Sequence, residues 1–218
     1  MATSIIGLDD EPVVHLRERD WRLARLIERL GPIEHYRSES GFQNLAHSII
    51  EQMLSVKAAA TIEGRLRELC GGRVAPDPLA ELSVEQIRSV GVSRRKAENL
   101  ANLARTVSEE DLDALSGRSD EEVRAWLLAL PGVGAWTCDM FMIFQLERPD
   151  VLPVGDLTFR RAFEWLYGAA VDDAGVRTVV CDLWRPYRSY AARYLYQALD
   201  EGLVAAAPAR ELLGLDAR

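Results

Sequence analysis

Leu130-Pro131-Gly132-Val133-Gly134-Ala135-Trp136 is the stretch on which the reading of this chain turns. Before it, Ser119-Asp-Glu-Glu122 has the pattern of a capping box and opens an apolar helical run that continues to Leu130. A second helix is expected to begin just after Gly134. One proline and two glycines in five positions permit a tight hairpin with unusual dihedrals. The first amides of the second helix have no intrahelical partner and sit at the positive end of its dipole. A phosphate suits such a site, and the glycines let a phosphodiester approach the backbone without a side-chain clash. The same five residues also fit an ordinary helical corner that binds nothing.

Outward from the hairpin, the helical period dominates. Trp21, Ala24, Ile27 and Leu30 recur at helix spacing and stop at Gly31-Pro32. Leu45, Ile49, Met53 and the alanines at 58–60 repeat the pattern. Ser83-Val-Glu-Gln86 reads as a capping box for a short helix that Gly91 ends, and Ser93 caps the next, through about Val107. Leu157 to Tyr167 and Val176 to Leu199 hold two or three more. Glu109 to Glu122 reads as a solvated loop and helix start, and the Ala-rich tail after Gly202 as fraying. Only Asp150-Val-Leu-Pro-Val154 looks extended, and its proline argues against a central strand. The predicted fold class is therefore all-α.

The composition limits what such a chain does. Of 218 residues, 48% are hydrophobic and 28% charged, as expected of a chain with a buried core. A formal charge of −8 argues against coating nucleic acid by bulk charge, but not against a local basic face. No apolar run approaches the ~18 residues of a membrane span, and the N-terminus has no signal-peptide pattern. Cys70, Cys138 and Cys181 are too few and too scattered for a disulfide framework or a metal set. His15, His35 and His47 are equally dispersed. A reducing cytoplasm and chemistry without a side-chain-ligated metal are expected.

Four ordered segments carry a resemblance. Leu130-Pro-Gly-Val-Gly-Ala-Trp-Thr-Cys-Asp139 is followed by Asp150-Val-Leu-Pro-Val-Gly-Asp156; Ser48-Ile-Ile-Glu-Gln-Met-Leu-Ser-Val-Lys-Ala-Ala59 precedes them and Trp184-Arg-Pro-Tyr-Arg-Ser-Tyr-Ala-Ala192 follows. Together they resemble the helix-hairpin-helix DNA glycosylases, in particular the alkylpurine branch typified by DNA-3-methyladenine glycosylase II. The resemblance spans roughly residues 41 to 200. It implies the compact form, without the N-terminal β domain of the larger members. The implied architecture is two helical lobes, one from residues 1–40 and 149–218 and one from 41–148, with a DNA-binding cleft between them.

The resemblance also implies roles. Asp156 is the implied catalytic carboxylate, although an aspartate before a helix is also a favoured N-cap; a full capping box would want Glu or Gln where Phe159 stands. Gln52 is expected to contact the opposite strand or the flipped nucleotide. Met53 is expected to act as an apolar wedge in the base stack, the competing reading being a core residue of the helix that starts near Phe42. Trp136 and Tyr196, with Met140 and Leu157, are the implied lining of a base pocket, where a cationic base stacks on aromatic faces. Pro131, Gly132, Val133, Gly134 and Ala135 are the implied DNA-backbone contacts. Arg160 and Arg161, which open the helix behind Asp156, are expected to reach the DNA backbone or support the carboxylate, a solvated face being the competing reading. Arg94-Arg95-Lys96 and Arg185/Arg188 complete the basic clusters, each also readable as a solvated face. Arg188 with Ser189 is expected in a structural turn, and Trp184 in the core beneath it. No cofactor is required. The resemblance allows one monovalent cation, sodium or potassium, on the main-chain carbonyls of Leu128, Leu130 and Gly132.

Bifunctional relatives carry a lysine where this chain has Trp136, so imine chemistry is not expected. The implied function is a monofunctional hydrolase that flips alkylated bases, chiefly 3-methyladenine-like purines, from duplex DNA and starts base excision repair. The alternatives are a non-catalytic helix-hairpin-helix DNA-binding module and a glycosylase for other damaged or mismatched bases. The expected partners are double-stranded DNA with alkylated bases and the enzymes that process the abasic product. A monomer in the cytoplasm, at the nucleoid if bacterial, and no membrane association are expected.

Overall fold

Alternation in Ile33-Glu-His-Tyr-Arg37 buries Ile33 and His35 and exposes Glu34 and Tyr36, the period of a half-buried strand. In the computed structural model, which describes residues 2–38 and 40–215, strand β1 (Ala2–Ile6) pairs with this strand, β2 (Ile33–Arg37). These short strands were not expected. Asp150 to Val154, read as extended, joins no strand. The other regular elements among the described residues are helical, so the class remains all-α.

Helices α1 (Glu11–Arg19) and α2 (Trp21–Leu30) lie between the strands. Asp20 caps α2 by accepting from the amides of Arg22 and Leu23, and Gly31, at φ 72°, ends it. The buried face of α2 is Leu23, Leu26 and Ile27, whereas Trp21 is 38% exposed. The apolar stripe drawn through Trp21 was therefore rotated from the true one.

The central segment folds as α3 (Gly41–Glu51), α4 (Val56–Leu69), α5 (Pro76–Ala80), α6 (Val84–Ser89), α7 (Arg94–Thr106), α8 (Glu109–Asp113), α9 (Asp120–Leu128) and α10 (Ala135–Met140). Ser83 with Gln86 and Ser119 with Glu122 form the predicted capping boxes. Ser108 with Asp111 forms a third. That third box makes α8, followed by a 3-10 turn at Ala114–Gly117, where a loop was expected. Beyond α10 the chain continues as one π-helical turn, Phe141–Gln145.

The chain then forms α11 (Leu157–Tyr167), α12 (Ala174–Trp184), α13 (Arg188–Asp200), α14 (Leu203–Ala206) and α15 (Ala209–Leu212). Among the described residues the tail packs rather than frays: Leu203, Ala209 and Leu213 are buried.

Two units result. One comprises Met1–Ala2 and Arg37–Leu146, with Phe42, Leu45, Ile49, Leu100 and Phe141 fully buried. The other comprises Thr3–Tyr36 and Glu147–Arg218. Its core is aromatic: Trp184 meets Phe163 at 5.8 Å and Phe159 at 6.5 Å between centroids, edge-on in both cases. Asp20 is buried there and accepts from Trp184 Nε1 at 2.9 Å and Tyr167 Oη at 2.5 Å, which satisfies the polar groups the rings carry inside. Trp184 is thus the core residue the sequence suggests. Arg188 grips Asp150 through Nε at 2.6 Å and Nη2 at 3.0 Å, while Ser189 Oγ accepts from Val151 N at 2.9 Å. Together they make the structural turn expected before α13.

Candidate functional site

The hairpin between α9 and α10 is a tight corner. Leu130 O accepts from Val133 N at 3.1 Å, and Gly132 adopts φ 85°. A Cβ at Gly132 would stand 2.5 Å from Asn99 Nδ2, so both the backbone and the neighbour require glycine. Gly134 differs. It is the exposed residue preceding α10, its φ is −96°, and a Cβ there would meet nothing within 4 Å. Within the protein, Gly134 has no steric reason to lack a side chain. No side chain caps α10, so its first amides lack that partner. Arg124 Nη2 reaches the buried Asp139 Oδ1 at 2.7 Å and ties the two helices of the motif together.

Against the hairpin lies a cavity of about 490 Å³, lined by Gln52, Arg95, Asn99 and residues 132–137. Trp136 is half-buried on its wall. Cys138, two residues on, is fully buried with its thiol pushed up to about 11 by burial, so it is not a nucleophile at neutral pH.

Met53 follows the end of α3 and is fully exposed, with φ 60°. The reading that made it a core residue of that helix fails, because α3 stops at Glu51 and the chain turns through a left-handed residue. A methionine with a positive φ and no apolar neighbours is costly, by roughly 1–2 kcal/mol. The preceding residue is anchored: Gln52 Nε2 donates to Gly132 O at 2.8 Å and to Thr137 Oγ1 at 3.0 Å. The Gln52 amide nitrogen is thus engaged inside the protein and ties the turn to the hairpin. Lys96 Nζ donates to Ile50 O at 2.7 Å and Gln52 O at 2.6 Å, closing the C-terminal carbonyls of α3. Burial, then the neighbouring Arg95, holds the Lys96 amine below its ordinary pKa.

In the other unit, Asp156 is 6% exposed and is the N-cap of α11, accepting from Phe159 N at 2.6 Å through Oδ1. The cap thus forms without the glutamate or glutamine of a capping box. It also fixes the carboxylate's orientation. Leu157 opens α11 and is 78% exposed, while Tyr196 on α13 is half-buried with its ring 6.4 Å from that of Phe159. Met140, in the central unit, is half-buried at the end of α10.

Several of the predicted basic contacts are paired. Arg160 Nη2 meets Asp172 Oδ2 at 2.7 Å, and Arg94 reaches Glu98 at 3.1 Å and Glu85 at 3.5 Å. Arg161 is exposed. Arg95, on the hairpin cavity, has no carboxylate partner among the described residues. Asn99 was not singled out from sequence, and Arg95 and Lys96 only as members of the Arg94-Arg95-Lys96 cluster.

The Leu130 and Gly132 carbonyls each accept one hydrogen bond, from Val133 N and Gln52 Nε2, and each keeps a second lone pair. Neutral oxygens with a free lone pair are the chemistry a monovalent cation takes, and Leu128 O is the third oxygen expected to take part. No cluster of three or more His, Cys, Asp or Glu suited to a metal occurs among the described residues.

Comparison with known proteins gives this geometry its context. The profile of the HhH-GPD superfamily, base excision DNA repair proteins, matches residues 46–186. DNA-3-methyladenine glycosylase 1 of Schizosaccharomyces pombe is 28% identical over 196 residues, covering 84% of this chain and 85% of that protein. The crystal structure of a DNA-3-methyladenine glycosidase from Bacillus halodurans superposes with a TM-score of 0.83 at 34% identity, over 97% of this chain and 99% of that one. The S. pombe 3-methyladenine DNA glycosylase Mag1, in complex with abasic DNA, superposes with a TM-score of 0.78 at 27% identity, over 88% of this chain and 97% of its own. With the hairpin, the capped aspartate and the exposed methionine turn in place, the chain belongs to the HhH-GPD superfamily of base excision DNA repair proteins.

Proposed function

We propose that this chain is a monofunctional DNA glycosylase that removes alkylated bases, chiefly 3-methyladenine-like purines, from duplex DNA by hydrolysis and so initiates base excision repair. The observation that carries the reading is Met53. A fully exposed methionine in a left-handed conformation, beside a hairpin with an open glycine, has no folding role. Insertion into the gap left by an everted nucleotide gives it one.

The remaining parts divide by unit. In the central unit, the hairpin amides after Gly134 take a phosphate, Val133 and Ala135 line the cavity it enters, and Pro131 is a proposed contact beside it. Arg95 adds a positive charge at the same cavity. A sodium or potassium ion on the Leu128, Leu130 and Gly132 carbonyls would add charge facing that phosphate. In the other unit, Asp156 stabilises the positive charge that grows on C1′ and O4′ as the glycosidic bond breaks. The bonding pair leaves with the base, a water oxygen bonds to C1′, and the water's proton passes to the carboxylate or to solvent. A base alkylated at N3 or N7 is cationic and leaves without protonation, so one carboxylate suffices. Trp136 and Met140 are the central unit's proposed contacts with that base; in the other unit Leu157 and Tyr196 are proposed base contacts and Arg161 a backbone contact. Since Trp136 supplies no amine, the product is an intact strand with an abasic site.

The test is a duplex carrying N7-methylguanine. The expected result is release of free base well above the spontaneous rate, strand cleavage only after alkali, and no adduct trapped by borohydride. Release at the spontaneous rate, or a trapped adduct, overturns the reading. The protein acts alone in this account, in the compartment that holds the DNA.

A further inference from the structure

We infer that Lys96 and Gln52 are positioning residues that set the Met53 turn at a fixed distance from the phosphate-binding hairpin, so that eversion of the base depends on them although neither touches the reacting atoms. This rests on the proposed roles of Met53 and the hairpin. Its physical basis is a closed set of contacts within the central unit. Helix α7 carries Lys96 and Asn99 three residues apart, on one face. Lys96 holds the turn by the carbonyls of Ile50 and Gln52, at 2.7 and 2.6 Å. Asn99 is packed on Gly132, so closely that any Cβ there would overlap it. The Gln52 amide then joins turn to hairpin at Gly132 O and Thr137 Oγ1, and Thr137 is itself buried. One helix thus measures the separation and one side chain locks it.

The lock matters because Met53 sits in a conformation the chain does not favour alone. A wedge acts against base stacking only if its backbone does not yield, and its reference point is the phosphate held by the hairpin. The Lys96 ammonium is suited to the task. It closes two helix-end carbonyls with its charge directed inward, and it is half-buried rather than displayed to a polyanion.

The test is a double-mutant cycle on single-turnover release of N7-methylguanine by the full chain, with Lys96→Met, Gln52→Ala and Met53→Ala alone and in pairs. Lys96→Met and Gln52→Ala are each expected to slow release roughly tenfold, as for loss of one or two strong hydrogen bonds. For Lys96→Met, affinity for undamaged duplex and its salt dependence stay unchanged. Once Met53 is alanine, adding either substitution costs nothing further, because there is no wedge left to position. A DNA-contacting lysine would instead lower the salt slope of binding by about one. A purely structural role would give losses that add to that of Met53→Ala. Either outcome overturns the inference, as does unimpaired release by the single variants. If Lys96→Met does not fold, Gln52→Ala decides the cycle by itself. Absence of release by the wild type sinks the proposed function instead, so the two failures are distinguishable.

Discussion

Gln52 Nε2 lies 2.8 Å from Gly132 O, eighty residues along the chain, and this hydrogen bond joins the turn that displays Met53 to the hairpin. Two features separated in sequence are thereby one rigid object, and the consequences of disturbing it are specific.

Met53→Gly should separate stability from activity. Glycine relieves the left-handed strain at φ 60° and removes a side chain that packs on nothing. Stability is expected to hold or rise by up to about 1 kcal/mol. Base release is expected to fall roughly tenfold or more, as the stack closes over the gap. Denaturant melts and single-turnover kinetics on the same preparation check both halves.

The two hairpin glycines should behave in opposite ways. Gly132→Ala places a Cβ 2.5 Å from Asn99 Nδ2 at a φ of 85°, and a loss of about 2 kcal/mol or more is expected. Gly134→Ala meets no atom within 4 Å and is expected to change stability by less than about 1 kcal/mol. It should nonetheless weaken duplex binding, since its methyl group stands where a phosphodiester approaches. Equal effects of the two on both measurements would contradict this assignment.

Arg95 and Arg160 offer a contrast in charge. Arg95 lines the hairpin cavity without a carboxylate partner among the described residues, whereas Arg160 is paired with Asp172 at 2.7 Å. Arg95→Ala is expected to reduce the slope of log affinity against log salt by about one, and Arg160→Ala to leave it nearly unchanged. Titrations of undamaged duplex at several salt concentrations measure this.

His47 and Glu63 predict a pH dependence of stability. Their hydrogen bond, Nδ1 to Oε2 at 2.7 Å, raises the His47 pKa above 6.5 despite burial. The same bond holds Glu63 below its ordinary carboxylate value. The histidine's contribution is complete below its unfolded value and is lost as pH rises through the raised folded one. The glutamate's is present above its unfolded value and is lost as pH falls through the depressed one. The pair therefore stabilises most between those limits, in mildly acidic solution. Thermal midpoints of His47→Gln should lack the decline that the wild type shows on the alkaline side of this window.

Local signals carried most of the fold. The capping boxes at Ser83 and Ser119 and the hairpin at Leu130–Gly134 declare themselves in four or five consecutive residues, because the groups that satisfy the backbone lie next to it. The resemblance supplied Asp156, whose capping geometry the absence of a capping box had left incomplete. What stayed hidden depends on distance in sequence. Leu45, Ile49 and Met53 keep helical spacing, so the periodicity gave no notice that α3 stops at Glu51 and exposes the methionine. Lys96 reads as one of a solvated basic run until its contacts, 44 and 46 residues away, are seen. The strands β1 and β2 are short and need each other, and neither alone shows more than a few alternating residues.

Asp156 both caps α11 and bears the proposed chemistry, and its two roles respond to different substitutions. Asparagine keeps the cap on Phe159 N without the charge, whereas alanine removes both, with a further loss of about 1 kcal/mol in stability. The decisive measurement is the affinity for duplexes carrying either a cationic pyrrolidine or a neutral tetrahydrofuran in place of the damaged nucleotide. The wild type is expected to prefer the cation by about a hundredfold or more, because the carboxylate is set for the charge of the transition state. Asp156→Asn should erase that preference while binding the neutral duplex as before. A preference for the cation that survives in Asp156→Asn would contradict the account.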